Sequence, residues 1–305
     1  MRALVRWMCA LLLVSGALLH AQSWADPTTW SKTPAPKAKK NIVYFPSSAQ
    51  GYSPSSQVLD VYENSALASG EKAPVLVFIH GGAWSMGQRP ANSDSFLPWL
   101  AAGFSVVNIE YRLLAKTTNY APAAVQDVGC ALAWVKQNAD QYHFDLDRVV
   151  TSGRSAGGHL ALLAAVLPKD NDIALPQCRD QVPVAAVLDY YGLYDLEPTP
   201  TYHSPAAERW IGPNPKPSLA AMEHKMSPSS YIRPGIPPVF RAHGEADPWV
   251  PYQEAVNLKR DMDKVGVRCV LHTVAGGGHG GWKPEENQSV DLDSLRFLQS
   301  VGIIK

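Results

Sequence analysis

Apolar residues in this chain fall into short unbroken runs separated by longer mixed stretches. Val75-Leu76-Val77-Phe78-Ile79 is such a run, partly β-branched, and it predicts a central strand buried on both faces. Residues 105–109, 182–188, 238–242 and 267–274 predict further strands, and 147–152 a short buried one. Residues 42–45 and 57–62 predict an opening antiparallel pair. Helical segments lie between. Residues 98–102 end a helix closed by Gly103. A long amphipathic helix is predicted over 123–138, an Ala/Leu-rich one over 160–167, and others over 253–266 and 289–301. Alternation of this kind predicts an α/β fold, with a mostly parallel central sheet and helices on both faces, over 41–305. Residues 192–230 break the pattern. They are Pro-rich, with Tyr, Trp, Met and His scattered at no clean period, and predict a small, partly helical cap insertion over the site.

The amino end changes the picture. Arg2 and Arg6 precede an apolar run over 11–19, and Ser23-Trp24-Ala25 is a small-x-small sequence. Residues 1–25 therefore read as a signal peptide, with an alternative cut after Ala21. The run is too short to span a bilayer. Cys9 lies ahead of it rather than at the cleavage point, so a lipoprotein anchor is not expected. The expected mature protein is periplasmic or secreted, with no stable membrane anchor. Residues 26–40, rich in Pro, Lys and Thr, read as a disordered leader. Formal net charge is zero, and the Lys37 to Lys40 cluster reads as a solvated tail, so no nucleic-acid partner is expected. Cys130, Cys178 and Cys269 remain after Cys9 is removed. Export permits one disulfide and leaves one thiol free. Cys130 sits in an Ala/Leu/Trp helix pattern and reads as buried. No Cys or His spacing suits a metal, and neither metal nor cofactor is expected.

Candidate chemistry gathers at the ends of the apolar runs. Gly153-Arg154-Ser155-Ala156-Gly157 is G-x-S-x-G between a strand and a helix. This is the context for a strained turn that exposes a nucleophilic serine, although alone it also fits a plain Gly/Ser turn. His80-Gly81-Gly82-Ala83-Trp84 closes the strand over 75–79. Its glycines let backbone N–H groups of Gly81, Gly82 and Ala83, with that of Ala156, act as an oxyanion hole. Asp247 lies just past the strand over 238–242. His279, flanked by glycines, follows the strand over 267–274 and suits an exposed loop. Ser155, Asp247 and His279 form the candidate catalytic set. His80 and His243 read as loop braces and His159 as a packed residue. Glu245 is the nearest competing acid, with Asp189 and Asp195 in reserve, while Asp127 and Glu110 read as structural. Trp84, Trp249, Tyr252 and Trp282 each follow a motif closely and are candidate walls for an acyl or phenolic group.

The order Ser, acid, His is that of α/β-hydrolases rather than of chymotrypsin-like or subtilisin-like proteases. With Leu59-Asp60-Val61-Tyr62, Glu110-Tyr111-Arg112-Leu113, Pro122 to Asp127 and His243-Gly244-Glu245-Ala246-Asp247, the chain resembles α/β-hydrolase serine esterases with an HGG oxyanion loop. It is similar to both the feruloyl-esterase-like and the hormone-sensitive-lipase-like carboxylesterases. Ala83, where the latter group has a third glycine, and Arg154, at a position often acidic there, favour the feruloyl-esterase-like branch. The resemblance implies a serine carboxylesterase acting on short-chain or aryl esters through an acyl-enzyme. Its substrates would be small-molecule or oligosaccharide esters, such as acetyl or feruloyl esters of plant polysaccharide fragments. An amidase, arylformamidase or peptidase of the same fold is the alternative. A non-catalytic binding module is disfavoured by the complete Ser, Asp, His set.

Overall fold

The computed structural model describes residues 23–45 and 53–305. Eight strands form one sheet in the order β1-β2-β4-β3-β5-β6-β7-β8. They are β1 Lys37–Val43, β2 Val58–Glu63, β3 Ala73–Ile79, β4 Ser105–Ile109, β5 Phe144–Arg154, β6 Ala186–Tyr190, β7 Val239–Gly244 and β8 Cys269–Val274. β1 and β2 pair antiparallel, as the sequence predicts, and β2 is antiparallel to β4. All the remaining pairs are parallel. The helices are α1 Leu97–Ala101, α2 Ala123–Gln137, α3 Ala156–Val166, α4 Pro205–Ile211, α5 Leu219–Met226, α6 Gln253–Lys264 and α7 Pro284–Ser300.

The apolar run of β3 splits between two cores, as a two-period strand requires. Val75, Val77 and Ile79 face a core shared with α2, α3 and α6, whereas Leu76 and Phe78 face one shared with α1 and α7. Every residue of β3 is buried, so the run alternates between two apolar layers rather than between core and water. β6 begins four residues later than the sequence predicts, because Pro183 lies among the apolar residues that start the run.

Two expectations are corrected here. Residues 26–40 are not a disordered leader. Asp26 caps a 3-10 helix over Pro27–Lys32, accepting the Thr28 N–H at 3.0 Å. Trp30 is buried, and its indole N–H donates to the Trp24 carbonyl at 2.9 Å. Both tryptophans join the core formed by Trp99, Leu100, Ile303 and Ile304. Composition hid this, because Trp30, with Trp24 just ahead of the segment, offsets a polar, Pro-rich average. Lys37 to Lys40 likewise belong to β1, an exposed edge strand, and lysine is a residue that discourages pairing with another chain. The second correction is Cys130, which is not merely buried but disulfide-bonded to Cys178, while Cys269 is free and buried. Burial pushes the Cys269 thiol up to about 12, so it is inert. The segment 1–22, most of the expected signal peptide, lies outside the described residues. No helix among the described residues is long and apolar enough to cross a membrane.

The insertion over 192–230 carries α4, α5 and a 3-10 helix over Pro228–Tyr231. Buried Glu254 of α6 accepts the N–H groups of Tyr194 and Asp195 at 2.9 and 2.8 Å, which pins the start of the insertion.

Candidate active site

The turn between β5 and α3 places Ser155 at φ 53° and ψ −122°, a left-handed conformation rare for a side chain larger than glycine. The surrounding backbone enforces it. A Cβ on Gly157 would lie 2.2 Å from the Ile79 carbonyl oxygen, and one on Gly153 would lie 2.3 Å from that of Gly157. The glycines thus let β3, β5 and α3 meet around the serine, whose N–H donates to the Tyr190 carbonyl at 2.8 Å. Strain of this kind costs roughly 1–3 kcal/mol and persists where the surroundings over-determine it.

His279 Nε2 lies 2.7 Å from Ser155 Oγ, and its Nδ1 lies 2.7 Å from Asp247 Oδ2. The loops after β7 and β8 that carry Asp247 and His279 run backbone to backbone. Ala246 N–H donates to Gly277 O at 2.9 Å, and a Cβ on Gly244 would meet the carbonyl oxygens of Gly277 and Gly278, each at 2.3 Å. Asp247 Oδ1 accepts the N–H groups of Trp249 and Val250 at 2.8 and 2.9 Å. Burial pushes the Asp247 carboxyl up. Hydrogen bonds from His243, His279 and these two N–H groups outweigh it and hold the carboxyl well below the usual range. Asp247 is therefore ionised and fixed, and the Tyr191 ring packs edge-on against His279 at 4.8 Å. No sequence motif marked Tyr191.

The HGG loop lies against the serine. A Cβ on Gly81 would be 2.7 Å from Arg154 O and 3.4 Å from Ser155 Cβ. Gly82 and Ala83 both have positive φ, and the Gly82 carbonyl accepts the N–H groups of Ser85 and Met86. His80 braces this loop. Its ring nitrogens lie 2.7 Å from Gly81 O and 2.8 Å from Glu110 Oε1, and the ring stacks on Tyr111.

The competing groups have other partners. His159 is buried, with Nε2 donating to Met226 O at 2.8 Å. Asp189 pairs with Arg241, and Asp195 accepts the Glu197 N–H. Glu245 makes a long contact with the Gly276 N–H. Asp127 holds Arg112 and Gln57. Of the four candidate wall residues, only Trp249 stands open, 73% exposed. Trp84 is fully buried and stacks on Trp210 of α4 at 4.6 Å, so it belongs to the core. Trp282 is also buried, its N–H on Gly278 O beneath the His279 loop. Tyr252 is half-buried between His243 and Thr273. Among the described residues no group of three or more His, Cys, Asp or Glu is placed to hold a metal ion.

Known proteins are similar to this chain in sequence and in fold. In sequence, the chain is similar to the Mycobacterium tuberculosis proteins named Esterase LipQ and Probable carboxylic ester hydrolase LipM. Each is 32% identical, over 73% and 70% of this chain. The chain spans about half the length of these curated relatives, 53% and 50% respectively. In structure, it is similar to a truncated carbohydrate esterase from gut microbiota, with TM-score 0.71 and 25% identity over 88% of this chain and 98% of that one. It also shares its fold with a butyrate-bound esterase of Thermogutta terrifontis, with TM-score 0.71 and 24% identity over 90% of this chain and 96% of that one. The family model BD-FAE matches residues 59–262, a span that takes in the HGG loop, the serine elbow and Asp247. With the sheet order, the elbow and this match in agreement, the chain belongs to the BD-FAE family, built on the α/β-hydrolase fold.

Proposed function

We propose that this chain is an exported serine carboxylesterase that hydrolyses short-chain or aryl esters, with acetyl or feruloyl esters of plant polysaccharide fragments as its substrate class. The observation that carries the reading is the unbroken hydrogen-bonded set Ser155–His279–Asp247, with both contacts at 2.7 Å. Ser155 Oγ attacks the ester carbonyl while His279 Nε2 takes its proton. The tetrahedral intermediate collapses, the C–O bond to the alcohol breaks, and His279 returns the proton to the departing alkoxide. Water then repeats the sequence on the acyl-enzyme, releasing the acid and regenerating Ser155. Backbone N–H groups of Gly82, Ala83 and Ala156 stabilise the oxyanion, and Asp247 stabilises the imidazolium.

Three features support a bulky sugar or aryl ester. Trp249 stands exposed beside the acid, and Met86 stands 61% exposed just past the HGG loop. A groove of about 590 Å³, lined by Met86, Lys116, Tyr120 and Arg209, opens next to that loop. Export is supported by the basic start and short apolar run, and by the Cys130–Cys178 disulfide, which suits an oxidising compartment.

Initial rates on p-nitrophenyl esters from acetate to long acyl chains test the reading, with Ser155→Ala alongside. Turnover of short esters is expected, with a loss of about a millionfold in the variant. Ester turnover that survives the substitution would sink it.

A further inference from the structure

The catalytic acid has a neighbour that the mechanism above does not use. Asp247 Oδ2 receives His279 Nδ1–H and also faces His243 Nε2 at 3.3 Å. His243 is fully buried. Its Nδ1 lies 3.0 Å from Arg241 Nη2, which has only hydrogens to offer. Nδ1 must therefore accept, so the ring is neutral and its proton sits on Nε2. That proton is shared between Val250 O, at 2.9 Å, and Asp247 Oδ2. Arg241 is itself locked. Its two terminal nitrogens bond the Asp189 carboxylate and the Gly192 carbonyl, and both charged side chains are fully buried. Asp189 and Arg241 face one another in register on β6 and β7. Asp189 also accepts the Gly192 N–H at 3.0 Å and abuts Gly158, three residues past the nucleophile.

We propose that His243 is a positioning residue of the triad: held in its Nε2–H tautomer by Arg241 and Asp189, it fixes Asp247 Oδ2 in line with His279. The proposal rests on the serine-hydrolase reading. The chain of contacts runs from Ser155 through His279, Asp247, His243, Arg241 and Asp189 back to the helix that follows the serine. Displacing any link moves the acid relative to the nucleophile. His243 also sets the electrostatics. A second donor on Oδ2 spreads the carboxylate charge that faces the His279 ring. Burial pushes the His243 imidazole down; its hydrogen bond to Asp247 opposes this and the charge of Arg241 adds to it. The other titratable groups set around this pair are Glu254, Tyr191, Tyr202 and Tyr252. Glu254 is committed to the Tyr194 and Asp195 N–H groups, and burial raises Tyr191 and Tyr202 further above neutrality.

The test is the rate at which a fluorophosphonate labels Ser155 in the purified chain, measured from about pH 5 to about pH 9. Labelling does not depend on the natural substrate. In His243→Phe the rate is expected to fall about tenfold, and the pH of half-maximal rate to rise by about half a unit. His243→Gln, whose amide Nε2 keeps a donor near Asp247, is expected to stay within about twofold of the native rate. If His243→Phe does not fold, His243→Asn, too short to reach Asp247, serves in its place. A folded Phe or Asn variant with native rate and midpoint overturns the proposal. Equal losses in the Gln variant with an unmoved midpoint also overturn it, because packing alone would explain them. Absence of Ser155-dependent labelling in the native chain overturns the serine-hydrolase reading itself.

Discussion

Gly82 and Ser155 occupy backbone conformations that few side chains accept, and for different reasons. Ser155 bears its strain because the elbow glycines let the surrounding backbone close around the turn. Gly82 takes φ 124°, and a Cβ there would lie 1.9 Å from the Met86 carbonyl oxygen, inside any tolerable contact. Gly82→Ala must therefore move the loop proposed to bear the oxyanion donors. A fall in kcat of about a hundredfold or more is expected, with the far-ultraviolet circular dichroism unchanged. Near-native kcat in a folded Gly82→Ala would place the oxyanion donors elsewhere. Ser155 and His279 stood out in the sequence because flanking glycines leave them few packing roles, and Asp247 because it lies just past a strand end. Trp84 was not. Whether it forms a wall or a core residue depends on Trp210, which arrives more than a hundred residues later and covers it. Arg241 and His243 sat inside an apolar strand, and that mismatch was the available sign of a buried polar network.

Elements were readable where apolar period and punctuation agreed, as in β3, α2 and α6. They shifted where proline interrupted an apolar run, as at the start of β6. The charged content of α7 carries a consequence that its period does not reveal. Burial pushes Asp291, on the core-facing side of this helix, up to about 7, with the charge of Arg154 opposing. Its ordinary value is 3.8. The folded chain thus keeps a proton that the unfolded chain gives up. The stability from this group is complete below the ordinary value and is lost as pH rises through about 7. Asp291→Asn cannot ionise and escapes the loss. Its Tm is expected to exceed the native Tm by about 5 °C at about pH 8, with the gain shrinking toward zero near about pH 4. A gain that is the same at both pH values would show that Asp291 does not titrate in this window.

For the molecule as a whole, strand alternation set the two-layer wrapping of the sheet, and the motif loops all fell at the carboxyl ends of parallel strands, where such sheets bind ligands. Missing from that reading was the amino end. Trp24 and Trp30 close the core beside α1 and the carboxyl end of α7, from the opposite end of the chain. Composition averages cannot register a contact between distant ends that depends on two residues. That contact bears on proteolytic maturation. On the export reading, a peptidase cutting after Ala25 would discard Trp24 and leave the Trp30 indole N–H without its acceptor, opening the core to water. Cutting after Ala21 would spare both. The exported protein is therefore expected to begin at Gln22, a residue that cyclises to pyroglutamate and resists stepwise amino-terminal sequencing. An intact mass matching that blocked terminus would fit; one beginning at Asp26 would show that the tryptophan pair is dispensable after translocation.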